Sequence, residues 1–358
     1  MAVLYDVTLV SATPQVSAAP LLVEIDRIPW VGLSWSRRIG EPGSCTVAAP
    51  VDQLTESVRA ELRDLVAGCA ELWVTRTDTG VSPVRVDRVH AGPVVGWSIE
   101  GRTITITSQG LAYWMEFWPQ TTDVVFSGVD QAVIVRQLID ARQALTYGHR
   151  GLTTSGLSAT GVLRDLTLRA GEGRALPVVF REMGARENGF DLTVDPDTRA
   201  VQLWSPRKGV DRSAALVLDS RSIGTPRVAA SCAAGVVATD VLATSGSSNG
   251  TQLTATAEAS TLAAFGRAGF VQSFQDVSVQ ATLDDHAGRL ASDLGAQHLV
   301  VSPTLLPVAG FGVGDFDIGD VMLYDYDAGL GRQTQLVRVQ QLEVNLGSGA
   351  EVLTIGVI

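Results

Sequence analysis

Lysine occurs once in these 358 residues, at Lys208, and cysteine three times, at Cys45, Cys69 and Cys232. Three widely spaced cysteines make neither a disulfide framework nor a zinc or redox motif. They read as small buried hydrophobes. Long apolar runs are missing too, although mean hydropathy is +0.20. The charge-free runs Val228 to Thr239 and Leu299 to Gly314 both carry Gly or Pro. Each is shorter than the roughly 17 residues a bilayer span needs. The opening MAVLYDVTLV has no basic n-region or signal-peptide layout. The expectation is a soluble chain without a membrane span, made in the cytosol.

Hydrophobic residues make up 46% of the chain and charged ones 18%. This excludes disorder and allows two or three domains with real cores. Charge is uneven: residues 231–358 hold 13 acidic and 4 basic side chains, a net of −9 out of −11 for the whole. Phosphate binding needs clusters of Lys and Arg, so the acidic last third argues against gripping nucleic acid. It suits a surface that repels DNA or meets a basic partner.

The pattern predicts a mainly β chain with an α+β insert, in three parts: 1–113, 114–226 and 227–358. In the first, strands are expected at Leu21 to Asp26, Gly32 to Arg38, Ser44 to Ala49, Glu71 to Arg76 and Val84 to Ala91. Gly40-Glu41-Pro42-Gly43 is a turn signal, and Val58, Leu62, Leu65 and Val66 fall on one helical face. Trp97 to Thr107 folds back over Glu100-Gly101, with Ile104 and Ile106 on one face. In the second part Asp130 caps a helix holding Val133, Ile134, Leu138 and Ile139. A loop follows from Gly148 to Gly161. Pro177 opens another helix and Gly189 stops it. Phe190 to Val194 and Ala200 to Trp204 flank an Asp195-Pro196-Asp197-Thr198 hairpin turn.

In the third part Val241 to Ala243 and Gln252 to Ala257 bracket an Asn249-Gly250 turn. Thr282 to Asp285 has capping-box spacing for a helix running from Asp284 to Leu299, with Leu290, Ala291, Leu294 and His298 on one face. Val321 to Tyr326, Gln333 to Leu346 and Ala350 to Ile358 close a meander that uses the last residue as strand. Two β-plus-helix units thus flank the insert, without a visible residue-level repeat.

No catalytic, cofactor or metal residues are expected. Asp315, Asp317 and Asp320, with Asp325 and Asp327 beyond, match a calcium loop only in part. A carboxylate beside Gly319 more often bonds turn amides. Asp284-Asp285 suits a helix N-terminus, not a facing acid pair. His90, His149, His286 and His298 lack metal spacing, with His286 and His298 placed on one helix. No serine-hydrolase signature is expected. Gly171-Glu172-Gly173, read as having no preceding strand, is too weak for a phosphate loop. Six of the seven tryptophans lie between Trp30 and Trp118. The run Tyr113-Trp114-Met115-Glu116-Phe117-Trp118 reads as a core joining the first unit to the insert. Exposed, it would instead grip a partner or stack on host-surface glycan.

Several segments carry a family resemblance. They are Ser34-Trp35-Ser36-Arg37-Arg38 with Glu41-Pro42-Gly43-Ser44, and Thr107-Ser108-Gln109-Gly110-Leu111. Arg181, Met183 and Gly184 before Phe190-Asp191-Leu192-Thr193-Val194 add to it, as do Ala264-Phe265-Gly266-Arg267 and Ile318-Gly319-Asp320-Val321. In this order the chain resembles siphophage tail-tip (baseplate) hub proteins, of the minor tail protein type found in phages of actinobacteria. The resemblance implies a virion structural protein with two tube-like β-barrels around an insert, assembled as a homotrimer. It implies other tail proteins as partners: a distal tail or tube protein, the tape measure, and a fibre or spike. DNA would pass through the central channel at genome ejection, without sequence-specific binding.

Overall fold

The computed structural model describes residues 3–64, 70–186, 188–225, 228–231, 238–246, 252–260, 262, 266–274, 277, 279–295, 298–308, 310–327, 332–347 and 350–357. It begins with β1 (Val3–Thr13), β2 (Leu21–Arg27), β3 (Gly32–Arg38) and β4 (Ser44–Pro50). Helix α1 (Glu56–Arg63) follows, with Thr55 capping Val58 N–H. Next come β5 (Ala70–Asp78), β6 (Arg85–Glu100) and β7 (Thr103–Gln109). The insert holds β8 (Val124–Asp130), α2 (Gln131–Gln143), β9 (Leu163–Leu168), α3 (Leu176–Gly184), β10 (Asp191–Val194) and β11 (Val201–Trp204). Then come β12 (Val217–Leu218), β13 (Ile223–Thr225), β14 (Val228–Ser231), β15 (Asp240–Ser245), β16 (Thr254–Glu258), β17 (Gly269–Phe274) and α4 (Gln280–Leu294). The chain closes with β18 (His298–Val301), β19 (Thr304–Leu305), β20 (Val321–Asp327), β21 (Arg332–Asn345) and β22 (Val352–Val357).

The mainly β expectation holds. A single large sheet runs β13-β19-β22-β21-β3-β4-β7-β6-β5-β1-β2, with β12, β14, β18 and β20 attached beside it. No closed barrel forms among the described residues. The first and last thirds of the chain therefore share one sheet and one core. That core runs from Val7, Leu9 and Trp35 through Val47 and Ile106 to Tyr324, Val344 and Ile355. A second core gathers Trp114, Ile134, Leu168, Leu176 and Met183 from the insert, with Ala91 from β6. Leu283, Ala287 and Ala291 lay α4 over the small β16-β15-β17 sheet.

The long strands β6 and β21 explain how one sheet serves two directions. β6 pairs β5 up to Pro93, then passes to β7, with a register shift between Val94 and Gly96. β21 pairs β20 up to Arg338, then passes to β22, with a shift between Val339 and Gln341. An extra residue bends a strand and increases its twist, which is what such a handover requires. The Val84–Ala91 and Trp97–Glu100 segments expected as separate strands are thus parts of one continuous β6.

Other expectations are corrected. α4 starts at Gln280, so Thr282 and Asp285 lie inside the helix and the capping box does not form. Gln280 Nε2 donates to Thr254 O at 3.0 Å and to Asp284 Oδ1 at 2.8 Å, so a tertiary tie to β16 sets the start. The helix ends at Leu294, and His298 belongs to β18, paired with Ser231. Gly295 follows because an added Cβ there would come within 2.3 Å of Ala259 Cβ. α3 stops at Gly184, well before Gly189. Strands β1, β8, β9, β12, β13, β14, β17, β18 and β19 are additions to the expected set. Leu65, Val66, the Asn249-Gly250 turn, Ala264, Phe265, Ile358, Cys69 and Cys232 lie outside the described residues.

Trp35 is buried at the centre of the shared core, opposite Cys45 on β4 and Val344 on β21. Trp35→Ala should lower unfolding free energy by about 3–5 kcal/mol, the usual cost of truncating a buried aromatic. Chemical denaturation monitored by circular dichroism would measure it.

Candidate functional site

The side chains with the most unusual environments lie at seams between the parts of the chain. Glu71 on β5 is fully buried. Its carboxylate accepts from Arg199 Nη1 at 2.8 Å and Nη2 at 3.0 Å, and from Trp73 Nε1 at 3.1 Å. Arg199 ends the hairpin turn of the insert at φ +59, where Asp195 Oδ1 accepts from the amides of Asp197 and Thr198. Partial burial pushes the Asp195 carboxyl up, but the bonds from Thr198 and Asp197 outweigh it and hold the group low. The turn is thereby rigid, and it aims Arg199 into the sheet.

A second seam ties the ends of the chain together. Arg76 Nε donates to Glu351 Oε1 at 2.6 Å and Nη2 to Glu351 Oε2 at 3.1 Å, while the Tyr5 hydroxyl donates to the same Oε1 at 2.5 Å. Burial, then the Glu351 bond and charge, push the Tyr5 phenol well above its usual range. The third seam contains the only lysine. Lys208 Nζ pairs with Asp317 and donates to Ile318 O at 3.0 Å. Arg338 pairs with Asp191 and donates to Lys208 O at 3.0 Å.

Asp315, Asp317 and Asp320 sit on this seam, and their oxygens are occupied by protein donors. Asp320 is buried; Oδ1 accepts from Val210 N at 2.9 Å, and Oδ2 from Arg212 Nε at 2.7 Å and Asp317 N at 3.1 Å. Asp315 Oδ2 accepts from Gly312 N at 2.9 Å. Among the described residues no group of three or more His, Cys, Asp and Glu side chains is placed to hold a metal ion.

A cleft of about 700 Å³ opens between β3, the start of β6, the insert hairpin and the 313–320 loop. Its charges interlock: Arg88 with Asp197 at 3.4 Å, Arg37 with Asp317 at 3.9 Å, Arg212 with Asp320 at 2.7 Å. Arg88 also lies over the Trp73 ring, 3.9 Å from its centroid. These pairs tie the insert hairpin and the 313–320 loop to the sheet, so the cleft is built as a joint.

The other candidates disperse. Asp284 and Asp285 are exposed on α4. His286 stacks on Phe274 with centroids 4.2 Å apart, and His149 Nδ1 accepts from Gly151 N at 3.0 Å. Trp114, Met115 and Trp118 are buried in the insert core beside Ala91, as the junction reading expects, and of that run Glu116 and Phe117 are exposed. β9 does precede Gly171-Glu172-Gly173, against expectation, but a short 3-10 turn follows it and Asp123 already accepts from Ala170 N at 2.8 Å. One Gly-x-Ser-x-Gly string also occurs, Gly246 to Gly250. It links the antiparallel strands β15 and β16, whereas a nucleophile elbow joins a strand to a helix.

A β scaffold whose buried charges join its own parts is the class this geometry defines. Solved structures share the fold, three tail proteins among them. A 43 kDa tail protein of prophage MuSo2 from Shewanella oneidensis superposes with TM-score 0.58 at 11% identity, covering 99% of this chain and 98% of that one. The tail protein from Neisseria meningitidis MC58 gives 0.59 at 13%, covering 99% and 95%. Prophage tail protein gp18 from Listeria monocytogenes EGD-e gives 0.58 at 11%, covering 98% and 94%. No family model and no curated protein matches the sequence. The fold is that of phage tail proteins.

Two tests follow from the seams. Glu71→Ala should cost about 3–5 kcal/mol by stranding Arg199, as breaking a buried pair does. Restoring stability in part by adding Arg199→Met, measured by denaturant unfolding, would attribute the loss to the pair. His90 offers a pH test. Burial, then the charge of Arg37, lowers its pKa to about 3. Ser108 Oγ donates to Gly92 O, so it accepts from His90 Nε2–H at 2.9 Å and the ring is neutral. A depressed folded-state pKa means that stability is whole above about 6.5 and falls as pH drops from there toward 3. His90→Gln should therefore flatten the stability–pH curve over that window by about 1.4 kcal/mol per unit, read from urea midpoints.

Proposed function

We propose that this chain is a structural virion protein, the trimeric tail-tip hub of a siphophage. The observation that carries this reading is the fold, shared over nearly the whole length with three phage tail proteins. Residues 1–113 and 227–358 are the two tube-like β units and 114–226 the insert. The matching construction around β6 and β21 supports that division. Three copies would place six β units in a ring on the tail tube, continuous with its channel. Genome would pass through that channel, and distal tail or tube, tape-measure and fibre or spike proteins would be the neighbours. The motif order through Ile318-Gly319-Asp320-Val321 supports the type found in phages of actinobacteria.

Purified protein should have a solution mass near 113 kDa, three times 37.8 kDa, and show rings with an open centre in negative stain. A species that stays monomeric both alone and with its neighbouring tail protein would overturn the reading.

A further inference from the structure

The two meanders are repeats in register, and the repeat exposes a missing strand. Aligning their register shifts puts Val94 on Val339, Trp97 on Leu342 and Ile99 on Val344. The flanking strands keep the same offsets. Cys45↔Ser108 matches Val301↔Val357, and Ala49↔Ile104 matches Leu305↔Leu353. Trp35↔Cys45 matches Val228↔Val301, and Gly32↔Ala48 matches Thr225↔Thr304. So β3 corresponds to the run β13–β14, and β4 to β18–β19.

The repeats differ at one sheet edge. The outer edge of β21 is paired with β3, from Gln341↔Arg38 to Asn345↔Ser34. The corresponding edge of β6, Gly96 to Glu100, pairs with no strand among the described residues, nor does the edge of β14 away from β18. Burial reads out the difference. Leu342 and Val344 are 2% and 0% exposed, whereas their counterparts Trp97 and Ile99 are 42% and 52% exposed. Trp97 and Ile99 pair with Ile106 and Ile104, so they stand on the core side of the sheet; Trp97 Nε1 donates to Leu62 O at the end of α1 at 2.8 Å, and no strand covers the pair among the described residues.

We infer that β14 of a second copy of this chain fills the β6 edge, repeating between copies the β3–β21 junction within each. The chain is the one partner known to carry the complementary edge, with its geometry already realised in the internal junction. The expected register is Gly96, Trp97, Ser98 and Ile99 against Ser231, Ala230, Ala229 and Val228 of the neighbouring copy. Such a contact joins unlike edges head to tail, and a head-to-tail contact closes into a ring or grows as a filament. This assigns the subunit contact of the proposed hub and rests on that reading only for the number of copies.

A double variant, Ser98→Cys with Ala229→Cys, tests it in full-length protein with Cys69 and Cys232 replaced by serine. Directly opposed antiparallel residues have Cα atoms about 4.5–5.5 Å apart, within disulfide reach. Mild oxidation should give covalent multimers with a 98–229 linkage identified by peptide mass spectrometry, and neither single variant should do so. Ile99→Asp, at an exposed position, should weaken assembly at least tenfold by analytical ultracentrifugation without changing the far-UV circular dichroism spectrum. Oligomers that lack the 98–229 link, or that survive Ile99→Asp unchanged, overturn the edge pairing and leave the hub reading standing. A monomer without the link overturns both. Linked open filaments would support the pairing and overturn the closed hub.

Discussion

The antiparallel pairing of β3 with β21 is the constraint on which this molecule depends. It joins a strand from the first forty residues to one from the last thirty, across an insert that forms its own core. Without that junction the first and last thirds would each present an open sheet edge and half a core. With it, Trp35 and Val344 share one interior. Long-range pairing is costly in chain entropy before it returns burial, so the junction needs support from elsewhere.

That support is ionic. Glu71 with Arg199, Arg76 with Glu351 and Arg338 with Asp191 each span a different pair of segments, and each partner is mostly buried. A buried ion pair returns little net stability when its desolvation is counted, but an unpaired buried charge is expensive. Such pairs therefore act as selectors. A misdocked insert strands Glu71, and a frayed C-terminal strand strands Arg76.

The sequence was most legible where structure is local. Asp130 as a cap, with Oδ1 accepting from Ala132 N at 2.8 Å, followed from residue type and spacing. So did the Asp195 turn and the Ile104/Ile106 face. β8 and β9 were invisible because they pair only with each other across α2 and a long loop, and their alternation is interrupted by Gly128 at φ +60. α4 was placed late because its start is held by Thr254, a residue from another element. The seams were illegible for the same reason: nothing near Glu71 in sequence announces Arg199. Lys208 alone carried a signal, as the single lysine in the chain. The repeat was hidden because pairing offsets persist where side chains do not; Trp35 corresponds to Val228.

The charge asymmetry acquires a different meaning once the seams are known. The last third holds a net −9, and several of its acids face cations from elsewhere in the chain: Asp317 faces Lys208, Asp320 faces Arg212, Glu351 faces Arg76. Part of the acidity is therefore an internal docking code. A lumen that lets DNA slide would have to draw on exposed acids outside the seams. The same imbalance bears on the free chain. An exposed edge bearing Trp97 and Ile99 invites promiscuous pairing, and a net charge of −11 opposes it by keeping separate copies apart. Repulsion of this kind acts over about a Debye length, whereas strand pairing acts on contact. Only an approach in the correct register, which gains backbone bonds and apolar burial together, overcomes it.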